Sequence, residues 1–294
     1  MVAGALPFLL VILLCPASGL ADQTLAAAWT GIPFQVDGEA REPVWRAATA
    51  VRTVDKVAGI PMELSAAYNG VDIAILVRFP DEAPDVTHKS WRWNKTLGIY
   101  DVGNDREDVF VIKWAMEPAD ADLSLTADRP YRADVWYWKA CRTDPMGFAD
   151  DKLDVLDTEP ARDAVLLTSA SGRTMYLHRV EDDGPPAYRP TMPVGFQGEQ
   201  VPRFVGQVPG GSRSDVRAKG RWQKGFWTVE LSRRLDTGQP DDVHLQVGRQ
   251  ARFGVSRFEI AGRKPDPAVD QPLFGCGDIS EILTLDFAPL GGTK

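Results

Sequence analysis

The side chains with most chemistry to offer gather in two short stretches. His88-Lys89-Ser90-Trp91-Arg92-Trp93-Asn94 sets an imidazole, an amine and a guanidinium beside two indoles, and Asp134-Val135-Trp136-Tyr137-Trp138-Lys139-Ala140 repeats the mixture. Alternate residues of a strand share a face, so Trp136, Trp138 and Ala140 would point one way and Val135, Tyr137 and Lys139 the other. A face with two indoles is either packed core or the wall of a slot for a flat ligand. Catalytic patterns are missing: there is no Gly-x-Ser-x-Gly elbow, no His-Glu-x-x-His, no phosphate loop and no Rossmann glycine pattern. The whole chain has 3 histidines, a thin supply for acid–base work. The carboxylate pairs Glu107-Asp108, Asp150-Asp151 and Asp241-Asp242 are adjacent in sequence, and on a strand adjacent side chains diverge, which a glycosidase pair cannot do. Turns at strand ends, solvated edges or a Ca²⁺ site built from loop oxygens are the roles left to them. The reading is a binding protein without catalytic machinery.

The elements that must carry these residues are strands. Apolar runs of five to nine residues recur between Gly, Pro, Asn and Asp, and few stretches hold a helical period. The plainest hairpin is Leu64 to Tyr68, then Asn69-Gly70 as a type I′ turn, then Val71 to Phe79. A second runs from Val216 to Gln223, through Lys224-Gly225, into Phe226 to Leu231. Further strands are expected at Asp108 to Met116, Ala133 to Ala140, Val165 to Ser169, Thr174 to Val180, His244 to Val247, Arg252 to Ile260 and Ile279 to Phe287. So many strands imply an all-β protein, a two-sheet antiparallel sandwich with long loops. The Pro- and Gly-rich stretch from Glu181 to Ser214 reads as a long irregular excursion of the kind that faces ligands or partners.

Met1 to Ala21 has no charged side chain, an apolar run from Leu6 to Leu14 and the small residues Gly19 and Ala21 before Asp22. That is a signal-peptide pattern, too short to span a bilayer, and it leaves residues 22–294 as one exported β domain, with a bacterial periplasm as the default compartment. No later segment reads as a transmembrane span. The formal net charge is −8 and the basic residues are dispersed, which argues against nucleic acid as a partner. Beyond Cys15 the cysteines are Cys141 and Cys276, either one disulfide closing a long loop or two thiols, and the absence of Cys-x-x-Cys-His excludes covalently attached haem.

The chain resembles a known family through most of its length. The matching segments are Asp37-Gly38-Glu39, Glu42 to Ala48, Val77 to Asp81, His88 to Trp93, Tyr100, Glu107-Asp108, Asp134 to Ala140 with Arg142, Gly147, Asp150 and Asp151, then Gly225 to Val229 with Arg233 or Arg234, Leu235, Asp236-Thr237-Gly238, Pro240-Asp241-Asp242 and Ile279-Ser280. They are similar to the haem b-binding gamma subunits of ethylbenzene and dimethylsulfide dehydrogenases, partners of molybdenum enzymes of the dimethyl sulfoxide reductase type. The resemblance implies a sandwich that holds non-covalent haem b between Met and Lys ligands and relays electrons for a redox partner. Met116 is the one methionine between the Glu-Asp strand and the Trp-Tyr-Trp strand. Where the family's Lys is expected, shortly before Ile279, this chain has Cys276-Gly277-Asp278.

The donors available to an iron are therefore Met116 as thioether, His88 as imidazole, Lys264 as a replacement amine, and Lys139 or Cys276 behind them. Each has a bland counterpart: core filler for Met116, a surface loop residue for His88, an ion pair for Lys139, an exposed amine for Lys264. His178 and His244 read as structural or exposed. His88, Trp91, Trp93, Trp136, Trp138 and Lys139 would line the cofactor slot. A carbohydrate-binding module of the same fold, with its tryptophans stacking on sugar faces, is the alternative, and a family member that has lost haem is a third.

Overall fold

The computed structural model describes residues 23–55, 59–258, 279 and 281–287. The chain opens with β1 (Gln23–Trp29), a helical turn α1 (Val44–Ala47), β2 (Val51–Asp55), β3 (Ile60–Tyr68) and β4 (Asp72–Pro80). A small hairpin, β5 (Trp91–Asn94) and β6 (Ile99–Val102), precedes the run β7 (Val109–Glu117), β8 (Tyr131–Lys139), β9 (Asp150–Asp157), β10 (Val165–Thr168) and β11 (Thr174–Glu181). Three short strands follow, β12 (Tyr188–Pro190), β13 (Gln200–Val201) and β14 (Phe204–Gly206), then β15 (Arg217–Gln223), β16 (Phe226–Arg234), β17 (Ala251–Phe258) and β18 (Leu283–Phe287).

Hydrogen bonding joins the long strands into one path, β10-β11-β9-β8-β7-β17-β18-β1-β3-β4-β16-β15, with β2 beside β3. The path folds back on itself as a sandwich. Phe79 of β4 stacks on Phe110 of β7 at 6.2 Å, and Trp138 of β8 meets Trp227 of β16 edge-on at 5.0 Å. Gly220 of β15 makes this approach possible: a Cβ there would lie 2.3 Å from the Trp138 ring. The ladders are antiparallel except around β1, which runs parallel to both β18 and β3.

β7 explains why strict alternation fades in mid-sequence. Phe110, Ile112 and Trp114 enter the core between the sheets, while Ala115 on the other face joins a second apolar cluster with Leu123, Leu125, Tyr131 and Leu156. Both faces are covered, so from Val109 to Met116 the strand is apolar except for Lys113, which is buried 3.0 Å from Asp154 Oδ2 and 2.8 Å from the Tyr131 hydroxyl.

Both expected hairpins form, with their turn types exchanged in emphasis. Lys224 and Gly225 have φ of 52° and 81°, the two-residue turn with both centres left-handed. At Asn69-Gly70 only Gly70 is left-handed; Asn69 instead accepts the Val71 and Asp72 amides with Oδ1, at 3.0 and 2.8 Å. His244 to Val247 is not a strand: Val243 N–H is drawn inward to Asp134 Oδ2 at 2.9 Å, and Leu245 N–H bonds the Leu235 carbonyl. The excursion after Glu181 is tied down at β12–β14 and where β13 pairs with β5. Among the described residues no helix is long and apolar enough to cross a membrane.

Candidate functional site: a cavity at the Met116 end of the sandwich

Met116 sits in an irregularity. β7 pairs Ala115 with Ala133 and Glu117 with Arg132 of β8, so two steps on one strand match one on the other and Met116 is the extra residue. Such a bulge frees a side chain from its cross-strand partner and re-aims it. Met116 packs on the edge of the main core, next to Ala251, and lines a cavity of about 430 Å³ at the end of the sandwich. The loop after β16 supplies the opposite wall with Asp242, Val243, His244 and Arg249, and the start of β17 adds Arg252. The His244 imidazole is exposed, with Nε2 3.7 Å from Asp236 Oδ2. Behind Met116 on β7, Trp114 packs on Phe253 at 4.8 Å and on Trp136 at 5.3 Å.

The chemistry of this donor set suits haem b. A thioether and an imidazole are both established iron donors, a carboxylate beside the imidazole can orient it, and guanidinium groups pair with carboxylates such as propionates. Ala115, Ala119 and Val243 give the apolar share of the lining. Lys264 and Cys276 lie outside the described residues.

His88 stands elsewhere. Its Nδ1 is 3.3 Å from Glu107 Oε1 but out of line for a hydrogen bond, because Glu107 is taken up by the Arg142 guanidinium and by the amides of Cys141 (2.7 Å) and Arg142 (2.9 Å). Burial, then the positive charges of Arg142 and Lys89, push the imidazole down to about 2, so it stays neutral. It faces a second cavity, about 450 Å³, with Cys141, Arg203 and Phe204. Cys141 has no disulfide partner among the described residues. Glu107 precedes β7 and Met116 follows nine residues later, a separation of about 30 Å along an extended chain. His88 and Met116 therefore cannot hold one iron between them.

The other expected lining residues divide into separate groups. Trp136 and Trp138 are fully buried between the sheets, and Trp138 Nε1 donates to Asp144 Oδ1 at 2.9 Å. Lys139, on the opposite face of β8, is equally buried and spends its ammonium on Asp150. Burial opposes the Asp150 charge, yet Lys139, Lys152 and Arg213 outweigh it and hold that carboxylate below its usual range. Trp91 and Trp93 belong to β5, far from that core. Trp93 meets Tyr100 at 5.0 Å and Phe196 at 5.1 Å, and Trp91, Trp93, Tyr100 and Met192 line an aromatic cleft of about 310 Å³.

The adjacent carboxylates diverge as strand geometry requires, but they are not solvated edges. Asp150 goes to Lys139, whereas Asp151 lies 3.4 Å from buried Arg233; Asp108 accepts from Trp227 Nε1 at 2.9 Å. Lys139 keeps Asp150 charged, whereas burial pushes the Asp108 carboxyl up to about 7 and raises Asp151 well above its usual range in spite of Arg233. The sequence reading makes His244 structural or exposed, and the structure leaves it exposed beside Asp236; Arg233 enters only as part of the family resemblance, because its partners Asp134, Asp151 and Asp242 come from distant parts of the chain.

The class defined by fold and cavity is an all-β sandwich with a donor-lined cleft at one end. The chain belongs to the ethylbenzene dehydrogenase family, whose pattern matches residues 42–264, so the resemblance read from the sequence is borne out. No curated protein matches. Among solved structures it is similar to a Bacteroides uniformis protein proposed to bind carbohydrate (8% identity, TM-score 0.43, covering 91% of this chain and 100% of the other). It is also similar to a family 9 carbohydrate-binding module from Caldicellulosiruptor kristjanssonii solved with glucose (9% identity, TM-score 0.40, covering 92% and 99%).

Proposed function

We propose that this chain is an exported electron-transfer protein that binds haem b without a covalent link and serves a molybdenum-type redox enzyme, in keeping with its family, from a bacterial periplasm. The observation that carries the reading is the shared cavity of Met116 and His244, a soft donor and a nitrogen donor brought together from β7 and the loop after β16. Met116 and His244 would hold the iron, Arg249 and Arg252 would meet the propionates, and Asp236 would orient the imidazole. Haem supplies one-electron transfer; thioether ligation favours its reduced state and raises its potential.

The test is an absorption spectrum of the full chain exported from a haem-replete host, before and after dithionite. A Soret band with α and β bands that sharpen on reduction is expected, and Met116→Ala and His244→Ala should each weaken hemin uptake by at least about tenfold. A colourless protein that refuses added hemin would overturn the reading. A second reading, sugar binding, rests on the cleft of Trp91, Trp93 and Tyr100; a glycan-array signal lost in Trp93→Ala would then take precedence.

A further inference from the structure

The excursion after β11 closes the cavity of about 450 Å³ over His88, at the Glu107 end of β7 and away from Met116. Among the described residues Arg203 is the one charged side chain that lines it, and no carboxylate does. Arg203 is fixed from both sides. It follows β13, which pairs with β5, and precedes β14, which pairs with β12, and its carbonyl accepts the Thr191 amide at 2.7 Å. Its guanidinium carbon lies 5.0 Å from the centre of the Trp91 ring and 5.7 Å from that of Phe204. Aromatic faces hold the plane of a guanidinium without neutralising its charge.

No acid balances this charge. Arg203 has neither an ion pair nor a side-chain hydrogen bond among the described residues, and its Nε is buried without an acceptor. The two nearby carboxylates are already engaged. Glu107 takes the Arg142 guanidinium and the amides of Cys141 and Arg142, and Asp105 takes the Ser90 amide at 3.1 Å and its hydroxyl at 2.7 Å. Nδ1 of His88, on the same lining, is also buried without a hydrogen-bond partner. Burial, then repulsion from Arg106, Arg203 and Arg142, lowers the neighbouring Lys89 amine, as expected where positive charge outweighs negative.

We infer that this cavity binds an organic carboxylate with a flat apolar body of about one ring. The planar fork of Arg203 matches the two oxygens of a carboxylate, and the imidazole of His88 supplies a second polar contact. Phe204, Val86 and Pro202 give the body an apolar wall, which an inorganic anion would leave unused. Neither Met116 nor Trp93 contributes, so the site stands apart from the haem and sugar readings and is tested with or without haem.

Benzoate is the probe. The full chain is titrated with sodium benzoate by calorimetry, and one site per chain is expected. Benzamide, the same ring without the charge, and acetate, the same charge without the ring, should each bind at least about tenfold more weakly. Arg203→Gln should lose at least about tenfold in benzoate affinity, and Arg203→Lys, which keeps the charge but not the fork, should recover only part of it. The wild-type chain gives a second readout: with 3 histidines in all, the His88 ring resonances are assigned by their loss in His88→Gln and should shift on addition of benzoate. Absence of binding at millimolar benzoate, equal affinity for benzamide or acetate, a His88 signal unmoved at saturation, or wild-type affinity in Arg203→Gln would each overturn the assignment.

Discussion

His88 shows how a single environment fixes what a residue can do. Its folded value near 2 lies far below the ordinary value of 6.5, so the unfolded chain binds a proton that the folded chain refuses. Below pH 6.5 the unfolded state therefore holds more protons, and stability falls steadily as pH drops from 6.5 toward 2. We expect His88→Gln to flatten this part of the dependence; urea midpoints measured from pH 7 to pH 4 for both proteins, converging at low pH, would show it. Residue chemistry was legible from sequence where it was local. Trp136 and Trp138 share a face as alternation requires, and Lys139 takes the other. What could not be read was the partner: that Asp150 waits for Lys139, or that His244 closes the cavity opened by Met116, depends on pairing across strands distant in sequence.

Among the elements, the strands with apolar alternation or long apolar runs, β3, β4, β7, β8, β15 and β16, fall close to their expected places. β9 does not announce itself. Its sequence Asp-Asp-Lys-Leu-Asp-Val-Leu-Asp looks like a solvated loop, yet Asp150, Asp151 and Asp154 are all buried in ion pairs. Charge patterning misleads wherever a core carries its own counter-charges. Packing between layers makes a firmer prediction at β15. Gly220→Ala would push a methyl into the Trp138 ring and should cost about 1–3 kcal/mol by chemical denaturation. In a Trp138→Phe background the same substitution should cost less, and a double-mutant cycle with additive losses would disprove the contact.

At the scale of the whole molecule, β1 is the seam. It lies between β18 and β3, with Leu25 and Ala27 fully buried, so it joins the two halves of the hydrogen-bonded path. Deleting residues 23–29 should abolish cooperative unfolding; a sharp thermal transition in that variant would contradict the assignment of β1 as a central element. The exposed side chains clustered near the aromatic cleft, Leu97, Ile99, Met192, Val194 and Phe196, lie apart from this seam on the small sheet and its flanking loop.

The pairing of β1 with β18 also sets a calendar for synthesis. Gln23 faces Leu283 and Ala27 faces Phe287, so the first described strand finds its neighbour only when the last has left the ribosome. Until then Leu25 and Ala27 have one sheet edge to lean on instead of two. The chain must wait, unfinished, for its own far end, and a premature stop anywhere before Leu283 leaves a sandwich with an open side.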